Sequence, residues 1–436
     1  MAHAIDFDFS DCCLPKAALA QAAGKLAKYR SELSDLQKSP DWSHPACSIL
    51  LADEGKFEKE CSSLLSKAKK PTLLIVIGIG GSNLGSLAAM RAVLHNPCTP
   101  SHKPQVLFAD TVDPRTISYV ISSARTHLSE GGHVLINAIS KSGTTLETLV
   151  NFDVIYSALK KSSSGQLNVV ITSDDGSEFE RVAQEEGFHS LPIPKNVGGR
   201  YSVLSSAGLF PLMAAGFDTH KFLEGARLSL KGALSADLRK NPVALAAAFL
   251  FLEAKAGRKI HVDFMFSNSL RSLGSWHRQL IGESLGKEKN ESGSKIVHSG
   301  ITPLVCTGTT DLHSMGQLFL GGPADKSYRF VSVQNFGEDF EAGSSQFLAK
   351  LAPFAKGKKA SRILNALCEG TKEAYRKNAL PFVSISLPAL DEHSIGQLMQ
   401  MEMVEAMYAA KLFGVNAFDQ PAVEKYKREA RKILGA

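Results

Sequence analysis

Short apolar runs alternate with longer amphipathic stretches along most of the chain, and this alternation predicts strands and helices in turn. Because each run is almost continuously apolar, the strands are expected to be buried on both faces of a sheet. After a predicted helix over Asn241–Ala256, the alternation begins again. The predicted strands are Thr72–Ile79, Gln105–Asp110, His133–Ser140, Leu167–Ser173 and His189–Pro194 in a first set, and Lys259–Ser267, Ile301–Gly308, Arg329–Gln334 and Leu380–Leu387 in a second.

The two sets of strands predict the fold class. Strands that alternate with helices form parallel sheets with helices on both faces, so we expect an α/β protein with two doubly wound, mainly parallel-sheet domains and a C-terminal helical segment. The predicted division is an N-terminal helical segment over 1–65, a first domain over 66–230 and a second domain over 231–436. In the tail, Gly414 is placed to end one helix and Pro421 to begin another.

Charge and hydropathy exclude several classes of partner. The 436-residue chain has a net charge of +6, with its Lys and Arg residues scattered. A nucleic-acid groove needs a concentrated basic stripe, so this charge predicts no nucleic-acid partner but suits a small anionic ligand. The longest apolar run, Leu73–Ile79, is too short to span a bilayer, and the first residues are acidic where a secretory signal is basic. We therefore expect no membrane partner.

The cysteines indicate a reducing compartment. Seven cysteines are spread along the chain without a CxxC pair, a pattern that indicates neither a disulfide framework nor a zinc site. The thirteen histidines include no HxxxH or HxH pair. A catalytic metal site would need a cluster of His, Asp and Glu ligands. The sequence thus predicts a cytoplasmic protein with no metal and no cofactor.

A glycine-rich loop over Gly78–Gly85 follows the first predicted strand. Such a loop lets backbone N–H groups approach an anion, and the N-terminus of the next helix favours negative charge. Residue identity excludes two nucleotide-binding motifs. Asn83 occupies the position of the third glycine of a dinucleotide-binding fingerprint, and Ser86 follows Gly85 where a P-loop has lysine. A tight turn without a ligand remains the alternative.

A second loop, over Ser140–Glu147, is rich in hydroxyl groups. Five hydroxyl or ammonium donors lie within six residues at the end of a predicted parallel strand, the sheet edge where ligands of open α/β sheets bind. This concentration favours phosphate binding. The alternative is a capping box in which Thr144 and Glu147 begin the next helix. The two interpretations are compatible, because a capped helix N-terminus is itself an anion site.

Together these two loops resemble the sugar isomerase domain. Four further segments, in the family's order, are similar to signatures of the phosphoglucose isomerase family in its shorter bacterial form: Val197–Leu209, Gln279–Lys287, Thr310–Gln317 and Val415–Lys427. The resemblance extends from about residue 70 to residue 430 and leaves the first 65 residues unassigned. It departs from vertebrate members at Pro421-Ala422, where they carry Trp-Gly, and at Lys425-Tyr426, which replace a Leu-Gly pair.

The resemblance implies two sugar isomerase domains and the reversible isomerisation of glucose 6-phosphate and fructose 6-phosphate, a step of glycolysis and gluconeogenesis. The reaction passes through ring opening and a cis-enediolate. The implied catalytic residues are Glu283 as proton shuttle, Arg200 beside the developing negative charge, and His313 with Lys427 for ring opening. The implied substrate-binding residues are Gly81, Ser82, Ser140, Lys141, Ser142, Thr145, Gln279 and Gln420.

The resemblance also implies a homodimer in which His313 completes the site of the neighbouring subunit. A helix over Gln397–Leu412 has apolar residues at helical spacing, so it is a candidate part of the interface, although internal packing explains the same pattern.

Residue by residue, simpler roles compete with catalysis. Glu283 is also consistent with an exposed acidic residue on a helix surface. Arg200, which follows two glycines, is also consistent with a surface turn residue. His393 stands in an echo of the His313 motif, because Asp-x-His-Ser-x-Gly-Gln occurs at both places. The TGTTDLH run before His313 is the part that resembles the family.

Three rival functions use related folds. A mannose-accepting isomerase is not distinguished by the sequence. A sugar-phosphate-sensing regulator would carry an added basic helix-turn-helix and could lack Glu283, Arg200 and His313, whereas this chain has all three residues and no such module. The isomerase half of glucosamine-phosphate synthesis needs an N-terminal cysteine nucleophile, and the chain begins Met1-Ala2-His3.

Overall fold

The computed structural model describes residues 4–95, 97–161, 165–343 and 345–435. Its strands, in chain order, are β1 Asp6–Asp8, β2 Leu73–Ile77, β3 Gln105–Ala109, β4 Val134–Ile139, β5 Leu167–Asp174, β6 His189–Ile193, β7 Ile260–Met265, β8 Lys287–Lys289, β9 Ile296–Ser299, β10 Thr302–Thr307, β11 Lys326–Asn335 and β12 Phe382–Ala389.

Its α-helices are α1 Lys16–Gly24, α2 Ala27–Lys38, α3 Gly55–Lys67, α4 Leu84–Val93, α5 Pro114–Ser129, α6 Leu146–Lys160, α7 Glu178–Glu185, α8 Ser206–Ala214, α9 Thr219–Ala233, α10 Pro242–Lys255, α11 Arg271–Leu285, α12 Gly316–Gly321, α13 Gln346–Leu351, α14 Ala360–Lys377, α15 Glu392–Phe413 and α16 Glu424–Ile433. No helix in the described ranges is long and apolar enough to cross a membrane. By its contacts the chain divides into unit I, Leu33–Arg227, and unit II, formed by Met1–Glu32 together with Leu228–Ala436.

Unit I is built on a five-stranded sheet in the order β3-β2-β4-β5-β6, parallel throughout. Every residue of β2 is buried. The odd-numbered side chains of β2 join one core cluster with buried apolar residues of α5, α6 and α7. The almost wholly buried helices α4 and α8 contact each other, and α8 also contacts β2 and β5. A strand buried on both faces explains why its sequence is continuously apolar rather than alternating.

The strand order of unit I creates a switch point. The chain goes from β2 to β3 on one side of the sheet, then returns to place β4 on the other side. Open α/β sheets bind ligands beyond the carboxyl ends of the strands at such a point. The loops that follow β2 and β4 are therefore the places in unit I where a ligand is expected.

Unit II has a second five-stranded sheet, in the order β1-β12-β11-β7-β10. Its strands are parallel except for β1, which pairs antiparallel with β12. The core on one face is aromatic, because Phe264, Phe266 and Phe330 pack with Tyr328 and Tyr375. A separate antiparallel hairpin is formed by β8 and β9.

Helix α15 lies in the interior of unit II. All residues from Ser394 to Ala410 are buried, and the helix packs against α10 and α11. Asp391 caps its N-terminus by accepting a 2.7 Å hydrogen bond from the Ser394 N–H. Gly414 ends it in the left-handed conformation, φ 69°, as the sequence predicted. The apolar pattern over Gln397–Leu412 therefore reflects internal packing.

The predicted fold class is confirmed, and each predicted strand is present with bounds that differ by at most three residues. The pattern missed β1 and the β8–β9 hairpin. Both β1 (Asp-Phe-Asp) and β8 (Lys-Glu-Lys) are three residues long and mostly charged, so neither has the apolar run by which buried strands are recognised.

Candidate active site

Two loops leave the switch point of unit I side by side. Strands β2 and β4 are neighbours and parallel, with Ile77 opposite Ala138, so residues 78–83 and 140–145 emerge at the same edge of the sheet. The first loop makes a single 3-10 turn over Gly80–Ser82 before α4 begins. A Cβ atom added to Gly78 would lie 3.1 Å from the Ile139 carbonyl oxygen, so the start of the first loop lies against the end of β4.

The first loop also touches the segment that carries Arg200. A Cβ atom at residue 81 would lie 2.2 Å from the carbonyl carbon of Gly199 and 2.4 Å from the Arg200 nitrogen. Only glycine permits such a close approach of two backbones. The Arg200 side chain is 2% exposed and its Cζ lies 5.4 Å from the centroid of the Tyr201 ring. It is thus a buried cation next to the glycine-rich loop, not a surface turn residue.

The hydroxyl groups of the second loop are linked to one another. Ser140 donates to the Thr145 hydroxyl at 3.1 Å, and the Ser142 and Thr144 hydroxyls are 3.0 Å apart. The predicted capping box is wrong. Thr145, not Thr144, is the N-cap of α6, and its side chain makes no capping hydrogen bond, because its hydroxyl is engaged by Ser140. With Lys141, these residues place hydroxyl and backbone donors at a helix N-terminus.

Asp174 adjoins this loop at the end of β5. Its N–H donates to the Lys141 carbonyl at 3.0 Å, and its Oδ1 is buried without a hydrogen bond to any described residue. Burial raises the pKa of Asp174 to about 6, although Lys141 and Lys195 act in the opposite direction. A carboxyl group that ionises near neutral pH therefore lies beside the predicted phosphate-binding loop.

In unit II, helix α11 carries the predicted base. Gln279 and Glu283 lie one turn apart, and Gln279 Nε2 donates to Glu283 Oε1 at 2.9 Å. Both side chains are partly buried. The hydrogen bond holds one carboxylate oxygen of Glu283 in a defined direction while its helix packs against β10 and α15. The fixed, partly desolvated carboxylate suits proton transfer.

The end of α11 is joined to the segment before α16. The ammonium group of Lys287 donates to the Glu283 carbonyl oxygen at 2.6 Å and to the carbonyl oxygen of Asp419, and it lies 3.2 Å from Asp419 Oδ1. Asp419 directly precedes Gln420. Lys427 follows in α16, where its ammonium donates to Glu424 at 2.7 Å. Glu283 and Gln420 are therefore brought close through one lysine.

Lys427 belongs to the same region of unit II. Its helix begins next to β8, since Lys425 of α16 donates to Glu288 of β8 at 3.3 Å. The structure thus gathers Gln279, Glu283, Gln420 and the helix of Lys427 around one end of α11.

His313 lies elsewhere in unit II. Helix α11 runs antiparallel to β10, since Gly274 lies against Val305 and Gly282 against Pro303. Glu283 is therefore near the start of β10, whereas His313 follows its end. The strand from Pro303 to Thr307 alone spans about 13 Å. Glu283 thus lies near the amino-terminal edge of the unit II sheet, because α11 runs back from the carboxyl edge.

The His313 side chain is exposed. Its position is fixed through Asp311, which accepts a 2.7 Å hydrogen bond from the Thr307 N–H. In the echo motif, Nδ1 of His393 instead lies 3.0 Å from Gln397 Nε2, within α15. The two motifs do follow strands of one sheet, but His393 belongs to a helix that is buried from its next residue onward.

Beneath α11, a buried ionic network joins the helix to the sheet and to α15. Arg329 donates to Asp263 at 2.8 Å, to Glu402 at 2.9 Å and to Glu405 at 3.1 Å, and Asp263 also lies 2.7 Å from His277. Burial opposes the ionisation of Asp263, yet Arg329 and His277 hold its pKa below the ordinary range. Burial raises the pKa of Glu402 to about 7. Since His277 is on α11, this network anchors the helix of Glu283.

Sequence reasoning missed Lys287, Asp174 and this network. Lys287 is the last residue of the Gln279–Lys287 motif, and Asp174 lies just beyond the predicted strand Leu167–Ser173. In both cases the contacts are with residues distant in sequence. Arg329 and Asp263 carried a weak signal, because a charged residue within an apolar strand is expected to have a buried partner. Within the described ranges, no group of His, Cys, Asp and Glu side chains is arranged to hold a metal ion.

Comparisons with known proteins agree with these features. A family model described as phosphoglucose isomerase matches residues 64–436. A glucose-6-phosphate isomerase of Methanocaldococcus jannaschii is 34% identical over 361 residues, covering 83% of this chain and 84% of the relative. One from Rubrobacter xylanophilus is 34% identical over 371 residues, covering 84% and 83%.

Solved structures are similar along nearly the whole chain. A crystal structure of a hypothetical protein from Thermus thermophilus has a TM-score of 0.88 at 31% identity and covers 99% of this chain and 100% of its own. A glucose-6-phosphate isomerase from Chlamydia trachomatis has a TM-score of 0.84 at 21% identity, covering 99% of this chain and 88% of its own. At that identity, the second likeness supports the fold alone.

Proposed function

This chain belongs to the phosphoglucose isomerase family, and from that membership we propose how its residues carry the reaction. The protein is an aldose–ketose isomerase that interconverts glucose 6-phosphate and fructose 6-phosphate. The observation that carries the proposed mechanism is the partly buried Glu283 carboxylate, held by Gln279 at the end of α11. The assignments that follow are made residue by residue on the contacts around each side chain.

The phosphate group is bound by the two loops at the switch point of unit I. Backbone N–H groups of the first loop approach the anion, and Ser82 adds a hydroxyl. Gly81 has no side chain and so lets the Arg200 segment pack against this loop. In the second loop, the mutually bonded hydroxyl groups are already oriented, so little ordering is needed when phosphate binds. The residues of the second loop in this role are Ser140, Lys141, Ser142 and Thr145, with Lys141 acting mainly through its backbone.

Glu283 transfers the proton. Its ionised carboxylate takes the proton from C2 of open-chain glucose 6-phosphate, which leaves an enediolate and a neutral carboxylic acid. The same group then returns the proton to C1 while the hydroxyl proton on O2 passes to O1, which gives fructose 6-phosphate. Arg200, permanently cationic and 2% exposed, stabilises the negative charge on the enediolate oxygen. A base positioned in this way contributes about 10²–10⁴-fold to the rate.

Ring opening requires an acid and a base before the proton shuttle can act. His313 and Lys427 take these roles at the ring O5 and the C1 hydroxyl, and Gln279 and Gln420 bind sugar hydroxyl groups or phosphate. O5 is bonded to C1, so the side chain that serves it must come within a few ångströms of the Glu283 carboxylate. Within one chain, the length of β10 separates His313 from Glu283, and this separation supports a histidine supplied by a partner subunit.

The surface of unit II supports a homodimer. Four large apolar side chains between β11 and α14 are more than 70% exposed, namely Phe340, Phe347, Leu351 and Phe354. So concentrated an apolar surface is typical of an interface. This segment and the His313 loop both follow strands of the parallel sheet, β11 and β10, at their carboxyl ends. A second copy of the chain that covers this edge would receive His313 at the same time.

The proposed location is the cytoplasm. All seven cysteines are free thiols, and Cys47, Cys61, Cys306 and Cys368 are buried with pKa values that burial raises to about 11 or 12. Such thiols are inert structural residues in a reducing compartment. The proposed chemistry is proton transfer between fixed side chains, so it assigns no metal ion and no cofactor.

The mechanism is tested with Glu283→Gln. Glutamine keeps the shape and the contact with Gln279 but cannot take a proton, so isomerisation of fructose 6-phosphate in a coupled assay is expected to fall nearly to zero. Solvent tritium should also no longer enter C2 of glucose 6-phosphate. Glu288→Gln is the control, because Glu288 is an exposed glutamate of the neighbouring hairpin and its loss should leave turnover unchanged. Retention of more than about a tenth of wild-type turnover by Glu283→Gln, a loss below ~1.4 kcal/mol, would exclude Glu283 as the shuttle.

A further inference from the structure

Lys287 is a buried lysine that contacts two segments of the candidate site. Its side chain is 5% exposed. Its ammonium contacts the Glu283 carbonyl oxygen, the Asp419 carbonyl oxygen and Asp419 Oδ1. An ammonium group removed from water is costly unless its three protons are satisfied, and here three acceptors are available. These three contacts offset the free energy that is lost when the ammonium group is removed from water.

The Glu283 carbonyl is one of the last of α11, which ends at Leu285. Carbonyl groups in the last turn of a helix have no partner within the helix, and a cation there is favoured by the helix dipole. Lys287 therefore fixes the backbone of the residue that bears the base. A shift of this carbonyl would move the Glu283 side chain with it, since both belong to one residue.

The second segment that Lys287 contacts is Asn416–Gln420. Phe418 N–H donates to the Asn416 side chain at 2.9 Å, a contact within the segment. Lys287 holds Asp419 by both its carbonyl and its carboxylate, directly before Gln420. Because one ammonium group binds both segments, it sets the distance between Glu283 and Gln420.

Other ion pairs join the same hairpin to the C-terminal region, but they are exposed. Lys411 binds Glu291 at 2.9 Å with side chains 39% and 52% exposed, and Lys425 binds Glu288 at 3.3 Å with 70% and 46% exposed. Exposed pairs contribute little. Lys287 is distinguished from them by its burial and by its contact with the catalytic residue itself.

We propose that Lys287 is a positioning residue for isomerisation, which holds the Glu283 carboxylate and Gln420 at the separation that the sugar requires. The inference rests on the proposed function of Glu283. Lys287 takes no part in proton transfer. Its effect acts through the backbone of Glu283 and through Asp419, and it should therefore appear in the proton-transfer step rather than in phosphate binding.

The test is Lys287→Met, which keeps the length and apolar stem but removes the ammonium group. Misplacement of a base is expected to lower kcat by about tenfold to a hundredfold, while KM changes by less than about threefold because the phosphate loops are untouched. The kinetic isotope effect with glucose 6-phosphate deuterated at C2 should rise, since proton transfer becomes more rate-limiting. The control, Lys411→Met, removes an exposed link from α15 to the same hairpin and should leave kcat and the isotope effect unchanged.

A purely structural lysine would give a different result. It would lower the unfolding temperature and the yield of folded enzyme, but kcat per folded active site and the isotope effect would match the wild type, and this outcome overturns the inference. If Lys287→Met does not fold, Asp419→Asn weakens the same contact while keeping the backbone acceptor. A smaller fall in kcat with a raised isotope effect is then expected, and wild-type values for Asp419→Asn overturn the inference.

Glu283→Gln separates this inference from the proposed function. Should Glu283→Gln keep its turnover, the proposed function fails and the role of Lys287 fails with it. Should Glu283→Gln be inactive while Lys287→Met is unimpaired, only the inference about Lys287 fails.

Discussion

Asp174, in unit I, is expected to make the stability of the protein depend on pH. Burial raises its pKa from the ordinary 3.8 to about 6. A carboxyl group with a raised pKa in the folded state contributes stability at low pH, and that contribution is lost as pH rises through the folded pKa. For Asp174 the loss is expected between about pH 4 and pH 7, and the partial exposure of the group limits it to about 1 kcal/mol.

Asp174→Asn should therefore be more stable than the wild type at pH 8, by about 1 kcal/mol in the free energy of unfolding. At pH 5 the difference should shrink, because the wild-type carboxyl is then largely protonated in the folded state. Urea denaturation at both pH values measures this. The control is Asp175→Asn, at the exposed neighbouring residue. A difference that is the same at both pH values would show that Asp174 is not the titrating group.

At this scale, sequence reasoning found the residues that belong to recognisable motifs and missed those defined by contacts. Glu283 and Gln279 were each predicted as site residues from one motif, and their spacing of four residues places them on one helix face. Lys287 reaches Asp419 across 132 residues, and no local pattern encodes a contact of that kind. The capping box at Thr144 was wrong because α6 begins one residue later than predicted, with Thr145 as its N-cap.

At the scale of elements, the decisive contact in unit I is between two loops. Gly81→Ala would place a Cβ atom 2.2 Å from the Gly199 carbonyl carbon, so the first loop or the Arg200 segment must move. We expect a lower unfolding temperature, a raised KM and a fall in kcat/KM of more than about tenfold. Thermal unfolding and the coupled assay measure both effects.

Gly24→Ala is the matched control for this substitution. Gly24 ends α1, and no atom lies within 4 Å of the position its Cβ would take. Alanine is the better helix former, so stability should be unchanged or rise by up to about 1 kcal/mol. If Gly81→Ala behaved like Gly24→Ala, the two loops would not be packed as described.

The elements that could be predicted are those whose burial leaves a pattern in the sequence. Strand β2 is Leu-Leu-Ile-Val-Ile, and both sheets were predicted from runs of this kind. Strand β1 could not be predicted, because its three residues are fixed by pairing with β12 from the far end of the chain. The sequence also did not predict at which edge of the unit II sheet Glu283 lies. That edge depends on how far along α11 the residue is placed.

At the scale of the whole molecule, the separation of His313 from Glu283 predicts complementation between inactive variants. When His313→Ala and Glu283→Gln are mixed under conditions that exchange subunits, each heterodimer has one site with both wild-type residues. With random exchange of equal amounts, half of the dimers are mixed, so about a quarter of wild-type activity is expected. The coupled assay measures it, after each variant alone has been shown to be inactive.

A fully active monomer in sedimentation, or purified heterodimers without activity, would contradict the shared site. Mixing His313→Ala with wild-type protein serves as the control for the mixing itself. It should give activity set by dilution alone, whereas mixing with Glu283→Gln should give activity that neither variant has.

The pairing of β1 with β12 has a consequence for how the protein is synthesised. Asp6 lies opposite Ser386, and at a translation rate of about 5–20 residues per second roughly 20–75 s pass between their emergence from the ribosome. During this time all five strands of the unit I sheet, Leu73 to Ile193, are already available to pair. The N-terminal strand must wait for its partner, so a nascent chain that stalls after unit I would keep that strand unpaired and accessible to chaperones and proteases.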